Sequence, residues 1–238
     1  MADNKSLTGK EVAALIPAAG SGRRMGGIIP KPFLQLGARE ILARTLDVFE
    51  VCGAIDEVWV IVAPEHTAFC QQAIVEGYGF QKVKGVVPGG ATRQESVWHG
   101  LQRLGEHVDV VVVHDGVRPF VTDAMLRDTV HHAARYGAAI TAVPVKDTLK
   151  RVSEAGEVET TVSRDRLWRV QTPQAFQRHL LQAAFLHAWE RGVMATDEAG
   201  LLEVLGKSVK VVLGMESNIK VTTPDDLLLA ENVLRTFR

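Results

Sequence analysis

The residues best equipped for chemistry lie in one stretch, Pro17-Ala18-Ala19-Gly20-Ser21-Gly22-Arg23-Arg24-Met25-Gly26-Gly27, followed by Pro30-Lys31-Pro32. Glycine lets the backbone approach a ligand closely enough for its N–H groups to ring a phosphate. Two arginines and a lysine beside it neutralise more charge than one phosphate carries. The stretch therefore reads as a grip for a nucleotide di- or triphosphate folded back over the loop. Neither familiar phosphate loop fits it. The dinucleotide fingerprint needs a third glycine where Met25 stands, and an acid where the next strand runs out into Ala63-Pro64-Glu65. The Gly-Lys-Ser/Thr triplet of a P-loop is missing from the stretch.

The elements that must hold this loop follow from hydrophobic periodicity. An apolar run at 12–16 empties into the loop and reads as a buried first strand. Leu42, Thr45, Leu46 and Phe49 recur at helical spacing over 40–50. A strand at 55–63, a helix opened by Pro64 and running to 75, a strand at 83–87 and a helix at 92–104 come next. The most strand-like run, 108–113, ends in His114-Asp115-Gly116-Val117-Arg118-Pro119, and a helix at 123–136 and a strand at 138–143 continue the series. Such alternation predicts an α/β fold, a largely parallel sheet with helices on both faces. In such sheets ligands bind beyond the carboxyl ends of the strands. Three of those ends carry unusual residues: the loop from Ala18, the turn Gly89-Gly90 and the segment from His114 to Pro119. Their convergence on one rim is the main expectation.

The rhythm breaks at 144–173, where 148–152 and 158–162 flank a Gly156 turn and read as a β-hairpin inserted in a single domain of 1–238. A lone two-stranded hairpin is marginal in water, so it should pack on something else. Helices at 178–191 and from Asp197 to about 205, a strand at 208–213, and a terminal helix opened by Thr223-Pro224 complete the chain.

Composition narrows the partners. With 27 basic and 28 acidic residues there is no global charge footprint for nucleic acid or a membrane, so any anion site is local. Residues 1–10 lack the apolar core of a secretion signal, and no apolar run is long enough for a membrane span. Cys52 and Cys70, in helical stretches, read as buried hydrophobes, which suits a reducing cytoplasm. His114 lacks other histidines at ligand spacing and reads as structural, and Trp98, Trp168 and Trp189 read as core or interface fillers.

Residues 17–25, Pro30-Lys31, the His114 to Pro119 segment, Asp147-Thr148, Thr172-Pro173-Gln174, Thr196-Asp197-Glu198-Ala199 and Asn218-Ile219-Lys220-Val221-Thr222, taken in order, resemble the 2-C-methyl-D-erythritol 4-phosphate cytidylyltransferase family. The resemblance implies a Rossmann-like sheet with a protruding β-hairpin arm, a cytoplasmic homodimer joined through that arm, and transfer of CMP from CTP to methylerythritol phosphate with release of pyrophosphate. It also implies a role in non-mevalonate isoprenoid synthesis, with Mg²⁺ as cofactor. By the same resemblance Arg24, Lys31 and Lys220 are the catalytic cations. Ala18, Ala19, Gly20, Gly22, Gly90 and Ser96 bind the nucleotide, with Asp115 and Gly116 on its ribose and magnesium side. Arg118, Thr148, Arg164, Thr172 and Lys220 bind the polyol phosphate. Any metal contact from Asp115 would be made largely through the nucleotide phosphates. Two positions depart from the family pattern: Ala91 and Ser163 stand where relatives often carry an acid.

The residue types suit that reaction. A phosphate monoester has its second pKa near 6, so at neutral pH it is already an anionic nucleophile and needs no general base. The transfer needs alignment and positive charge between the attacking, central and leaving phosphates. Two other readings are open: a sister enzyme for ribitol 5-phosphate or another polyol phosphate, and a silent nucleotide-binding module acting through its arm. Cations at Arg24, Lys31 and Lys220 together argue against pure binding, and Pro17-Ala18-Ala19-Gly20 looks closer to the methylerythritol branch than to an Ala-Gly-Gly form.

Overall fold

The computed structural model describes residues 9–20 and 29–236. Among these, seven strands form one sheet, in the order β11-β7-β10-β6-β1-β4-β5. They are β1 (Glu11–Pro17), β4 (Glu57–Val62), β5 (Val83–Pro88), β6 (Val108–Val113), β7 (Ala138–Pro144), β10 (Trp168–Gln177) and β11 (Lys210–Leu213). β2 (Gln35–Leu36) and β3 (Arg39–Glu40) form a small pair, and β8 (Leu149–Val152) and β9 (Val158–Val162) the hairpin.

The central strand β1 is parallel to β4 on one side and to β6 on the other. Its residues alternate between two cores, which is why the run is apolar throughout. Val12, Ala14 and Ile16 join the core under α1 (Ile41–Val51) and α4 (Asp123–Tyr136), with Leu42, Phe49, Leu126 and Val130. Ala13 and Leu15 face the core under α3 (Arg93–Leu101), α5 (Arg178–Glu190) and α6 (Glu198–Val204), with Val97, Leu101, Phe185 and Leu202. A last helix, α7 (Pro224–Thr236), packs Ala230 with Leu36 and Phe120 in a third cluster.

Two expectations need correction. The helix expected to 75 is composite: a 3₁₀ turn at Pro64–His66, one helical turn α2 (Thr67–Phe69) and a π-helical segment at Cys70–Glu76. So short an apolar pattern does not separate 3.6 residues per turn from a wider helix. Cys52 caps α1 and Cys70 opens the π segment. Both thiols are buried, and burial pushes them up to about 11 and about 12, so they stay protonated. Finally, residues 168–173 of the expected insertion belong to β10, which runs antiparallel to both β6 and β7. Proline cannot donate a ladder hydrogen bond, and the register of β10 on β7 shifts between Val170 and Gln174, where Pro173 sits.

The hairpin forms its own two-stranded sheet, turning at Gly156 with φ of +82°. Val152 is 50% and Val158 61% exposed.

Candidate functional site

Strand order reverses about β1, since β4 lies to one side of it and β6 to the other. At such a switch point the strand ends diverge and leave a crevice. Pro17 ends β1, Pro88 ends β5 and Val113 ends β6, so the three loops of interest leave the sheet at one rim. A cavity of about 400 Å³ opens there, lined by Ala18, Ala19 and Gly20, by Gly90 and Ser96, and by Lys31, Asp115 and Lys220. Gly22 and Arg24 lie outside the described residues.

A second cavity, of about 230 Å³, adjoins the first and shares Arg93, Asp115 and Lys220 with it. Arg118, Thr172, Gln174 and Asp197 form its walls. β10 makes it possible. Because β10 is antiparallel, its beginning rather than its end reaches the rim, and Thr172 comes against Asp115.

Asp115 is the hub between the cavities. It is 6% exposed, with Lys220 Nζ 2.9 Å and Arg118 Nε 3.3 Å from Oδ2, and Arg93 Nη2 3.7 Å from Oδ1. Burial alone would raise its pKa, but Lys220, Arg93 and Arg118 together outweigh it and hold the carboxyl well below the usual range. Arg118 also donates to the Asn218 carbonyl at 2.8 Å, which fixes the guanidinium. Arg93 Nη1 lies 2.6 Å from Glu198 Oε1. Glu198 is raised by burial against the pull of Arg93.

Beneath Asp115 the polar groups are ordered in one direction. His114 Nε2 lies 3.1 Å from the Arg118 carbonyl, which can only accept, so Nε2 carries the proton. Nδ1 is then an acceptor for the Thr172 hydroxyl at 3.0 Å, and that hydroxyl accepts the Asp115 N–H at 3.0 Å. Burial lowers His114 to about 4, so the ring is neutral at pH 7. His114 is thus structural, as its sequence context suggested.

Several residues expected to touch ligands have internal partners. The Thr172 hydroxyl is engaged on both sides. The Ser96 hydroxyl donates to the Thr92 carbonyl at 2.8 Å and accepts the Gly90 N–H at 3.0 Å. The Ala18 N–H donates to the Ile61 carbonyl at 2.6 Å. Ala18 and Gly90 can therefore offer carbonyl oxygen rather than N–H to a ligand. Gly116, expected at the ribose, lines neither cavity: its N–H donates to Pro17 and its carbonyl accepts from Thr45. A Cβ there would come within 3.0 Å of Ala18 Cβ, so Gly116 lets the two rim loops pack together. At Gly90 a Cβ would lie 2.5 Å from Glu95 Cβ, so the capping box of Thr92 and Glu95 that starts α3 requires glycine at that turn.

Lys31 sits on a 3₁₀ turn, Lys31–Phe33, preset by Pro30. Phe33 packs edge-on to Phe69 and His66, and Lys31 Nζ is 3.5 Å from the Thr222 carbonyl. Thr222 is itself held through its N–H and hydroxyl by Asp226, at 2.8 and 2.7 Å. Lys31 and Lys220 are thereby registered to one loop before α7.

Thr148 and Arg164 do not join the site in this chain. Both are exposed and line neither cavity, and Arg164 donates to the Lys146 carbonyl. Sequence reasoning missed Arg93, whose importance depends on Glu198, 105 residues away. It also missed the support of the second cavity by Gln174, whose amide donates to Asp197 at 2.8 Å and accepts the Ala199 N–H at 3.3 Å. The Thr196-Asp197-Glu198-Ala199 motif was a usable signal for that wall.

Among the described residues no group of three or more His, Cys, Asp or Glu could cage a metal ion, and the hub carboxylate is surrounded by cations. Such a donor set fits a metal carried on the phosphates of a nucleotide better than one resident on protein carboxylates. No helix among them is long and apolar enough to cross a membrane.

Comparison with known proteins gives the family and supports the fold. The family model for 2-C-methyl-D-erythritol 4-phosphate cytidylyltransferase matches residues 12–236. The enzyme of that name from Geotalea uraniireducens is 47% identical over 227 residues, 94% of this chain and 97% of its own. One from Alkaliphilus oremlandii is 43% identical over 96% and 97% of the two chains. The crystal structure of 4-diphosphocytidyl-2C-methyl-D-erythritol synthase from Anaerococcus prevotii superposes with a TM-score of 0.85 at 34% identity, covering 98% of this chain and 99% of that one. The Thermus thermophilus cytidylyltransferase gives a TM-score of 0.76 at 37% identity over 94% and 99%. Matched by the family model over residues 12–236 and 47% identical to a member over 94% of its length, this chain belongs to the 2-C-methyl-D-erythritol 4-phosphate cytidylyltransferase family.

Proposed function

We propose that the chain transfers CMP from CTP to 2-C-methyl-D-erythritol 4-phosphate, releasing pyrophosphate, as a step of isoprenoid precursor synthesis. The observation that carries this reading is the pair of adjoining cavities with a shared wall of Arg93, Asp115 and Lys220. The larger takes the nucleotide and the smaller the polyol phosphate, so the attacking phosphate oxygen and the α-phosphorus meet at that wall. A new P–O bond forms as the bond to the β-phosphate breaks, and the electron pair leaves with pyrophosphate. Lys31 and Lys220, with Arg24 from the glycine loop, supply positive charge where negative charge gathers. Gly20 and Gly22 belong to the loop around the phosphates. Arg118 and Thr172 define the polyol side, Arg118 by charge and Thr172 by fixing Asp115.

Carbonyl oxygens of Ala18 and Gly90 suit the exocyclic amino group of cytosine and leave the carbonyl of uracil unpaired, which favours CTP over UTP. Mg²⁺, carried on the triphosphate, would offset charge there, with Asp115 the nearest protein carboxylate. The active unit is a homodimer in which the hairpin reaches the neighbouring site with Thr148 and Arg164. Exposed apolar residues along that hairpin support this assignment. A ribitol phosphate specificity and a silent binding module are less favoured, since the similar proteins described above carry the methylerythritol name. Pyrophosphate release with CTP and each polyol phosphate tests the proposal. Turnover with methylerythritol phosphate is expected, and comparable turnover with ribitol phosphate or with ATP would overturn it.

A further inference from the structure

Glu198 is a carboxylate 1% exposed, at the start of α6, that no part of the proposed chemistry uses. One oxygen meets Arg93 at 2.6 Å, and the other, Oε2, is buried without a hydrogen-bond partner among the described residues. A buried ion pair with an unpaired oxygen is a poor way to tie α3 to α6, because apolar residues do that as well or better. The effect of its charge on Arg93 is more informative. Arg93 Nη2 stands 3.7 Å from Asp115 Oδ1, beyond hydrogen-bond length, while Lys220 and Arg118 contact Oδ2 at 2.9 and 3.3 Å. Arginine is the stronger partner for a carboxylate because its planar fork can engage both oxygens. Freed of Glu198, Arg93 would close on Asp115. The residue displaced would be Lys220, a single point charge on a 40% exposed side chain, since Arg118 is also held by the Asn218 carbonyl.

We infer that Glu198 is a positioning residue: by holding Arg93 off Asp115 it keeps Lys220 on Asp115, at the wall shared by the two cavities. The inference rests on the proposed role of Lys220 in the transfer. Its signature has two parts that packing alone does not reproduce. Replacing Glu198 by glutamine preserves shape and removes charge, while aspartate keeps charge and shortens the reach. A charge role ranks kcat as wild type, then Glu198→Asp, then Glu198→Gln; a packing role reverses the two variants. Removing one negative charge also leaves the site more positive, so CTP should bind Glu198→Gln as tightly as wild type or more so, although kcat falls.

The experiment measures pyrophosphate release and, by calorimetry at low salt, the Kd for CTP, with thermal unfolding as the folding control. We expect kcat of Glu198→Gln to fall by roughly tenfold or more, with Kd for CTP not raised. The double variant Glu198→Gln/Arg93→Gln removes the competitor together with its restraint. It should be faster than Glu198→Gln by at least about threefold, a non-additive recovery. If the single variant does not fold, the double variant carries the test, because it leaves no buried charge unpaired: its kcat should stand about tenfold above that of Lys220→Ala. Glutamine outperforming aspartate, kcat and Kd worsening in step, or a double variant no faster than these references would overturn the inference. A wild-type protein that releases no pyrophosphate from CTP and methylerythritol phosphate would instead overturn the proposed function.

Discussion

The seam around Asp115 and the hairpin of β8 and β9 differ in almost every physical respect. At the seam, charges from α3, the β6 rim, α6 and the loop before α7 converge within 4 Å of one another, and Arg93 and Arg118 are each held by a second partner. On the hairpin, Thr148 and Arg164 are exposed, and most of its residues are solvent-facing. Charged groups placed to act on phosphates need a low-dielectric surround and fixed neighbours, which the seam supplies within one chain. The hairpin supplies neither by itself, so substrate contacts there require a surface from elsewhere. A second copy of the chain is the source proposed above.

The sharpest way to break this contrast is at the seam. Lys31→Ala should lower kcat by roughly a hundredfold or more while changing CTP affinity much less, because its charge acts on the transition state. Steady-state rates and calorimetry decide this. A raised KM at unchanged kcat would make Lys31 a ground-state binder.

Mixing two dead variants tests whether the hairpin completes its neighbour. A random mixture of Lys31→Ala and Arg164→Ala protomers should regain about a quarter of wild-type activity if the hairpin acts in trans, since half the dimers are mixed and one of their two sites is whole. Hairpins folded back on their own chains would leave a lesion at every site and restore nothing.

A third measurement uses pH to sharpen the difference in burial. His114 has a folded pKa of about 4 against an ordinary 6.5, so the unfolded chain binds its proton first as pH falls. Stability should therefore drop between those values, by up to about 3 kcal/mol from this group, and level off from it below the lower one. Urea titrations of wild type and His114→Gln should differ in slope across that window. Equal slopes would mean that the ring is not held neutral. Asp115, depressed by its three cations, adds a loss of the same sign only at still lower pH.

The smallest effect belongs to the hairpin. Val152→Ser and Val158→Ser should change the unfolding free energy of the isolated chain by no more than about 0.5 kcal/mol, because both side chains are already exposed. They should nonetheless weaken self-association in sedimentation. A large loss of stability without a change in association would mean that these residues pack within their own chain.

Much of the frame was legible because it is local. Val12 to Ile16 is apolar throughout because both faces of β1 are covered, and the capped helix starts at Thr92 and Asp197 were readable from short-range side-chain chemistry. β10 was not legible, since Pro173 interrupts its pattern and its direction depends on the strands beside it. The π-helical segment escaped for a similar reason, because seven residues do not define a period.

The sequence by itself determined which residue types gather at strand ends, and with them the phosphate chemistry: glycines and cations near β1, a carboxylate after β6, a lysine before α7. Only the tertiary structure decided which of them meet. That Arg93 pairs with Glu198, that Thr172, oriented by His114, seats Asp115, and that Gly116 packs beneath the site are contacts between residues up to 105 positions apart. Short-range pattern carries hydrogen-bonding type and periodicity. Pairing across a sheet depends on strand order and direction, which arise only when both faces of the sheet are buried together.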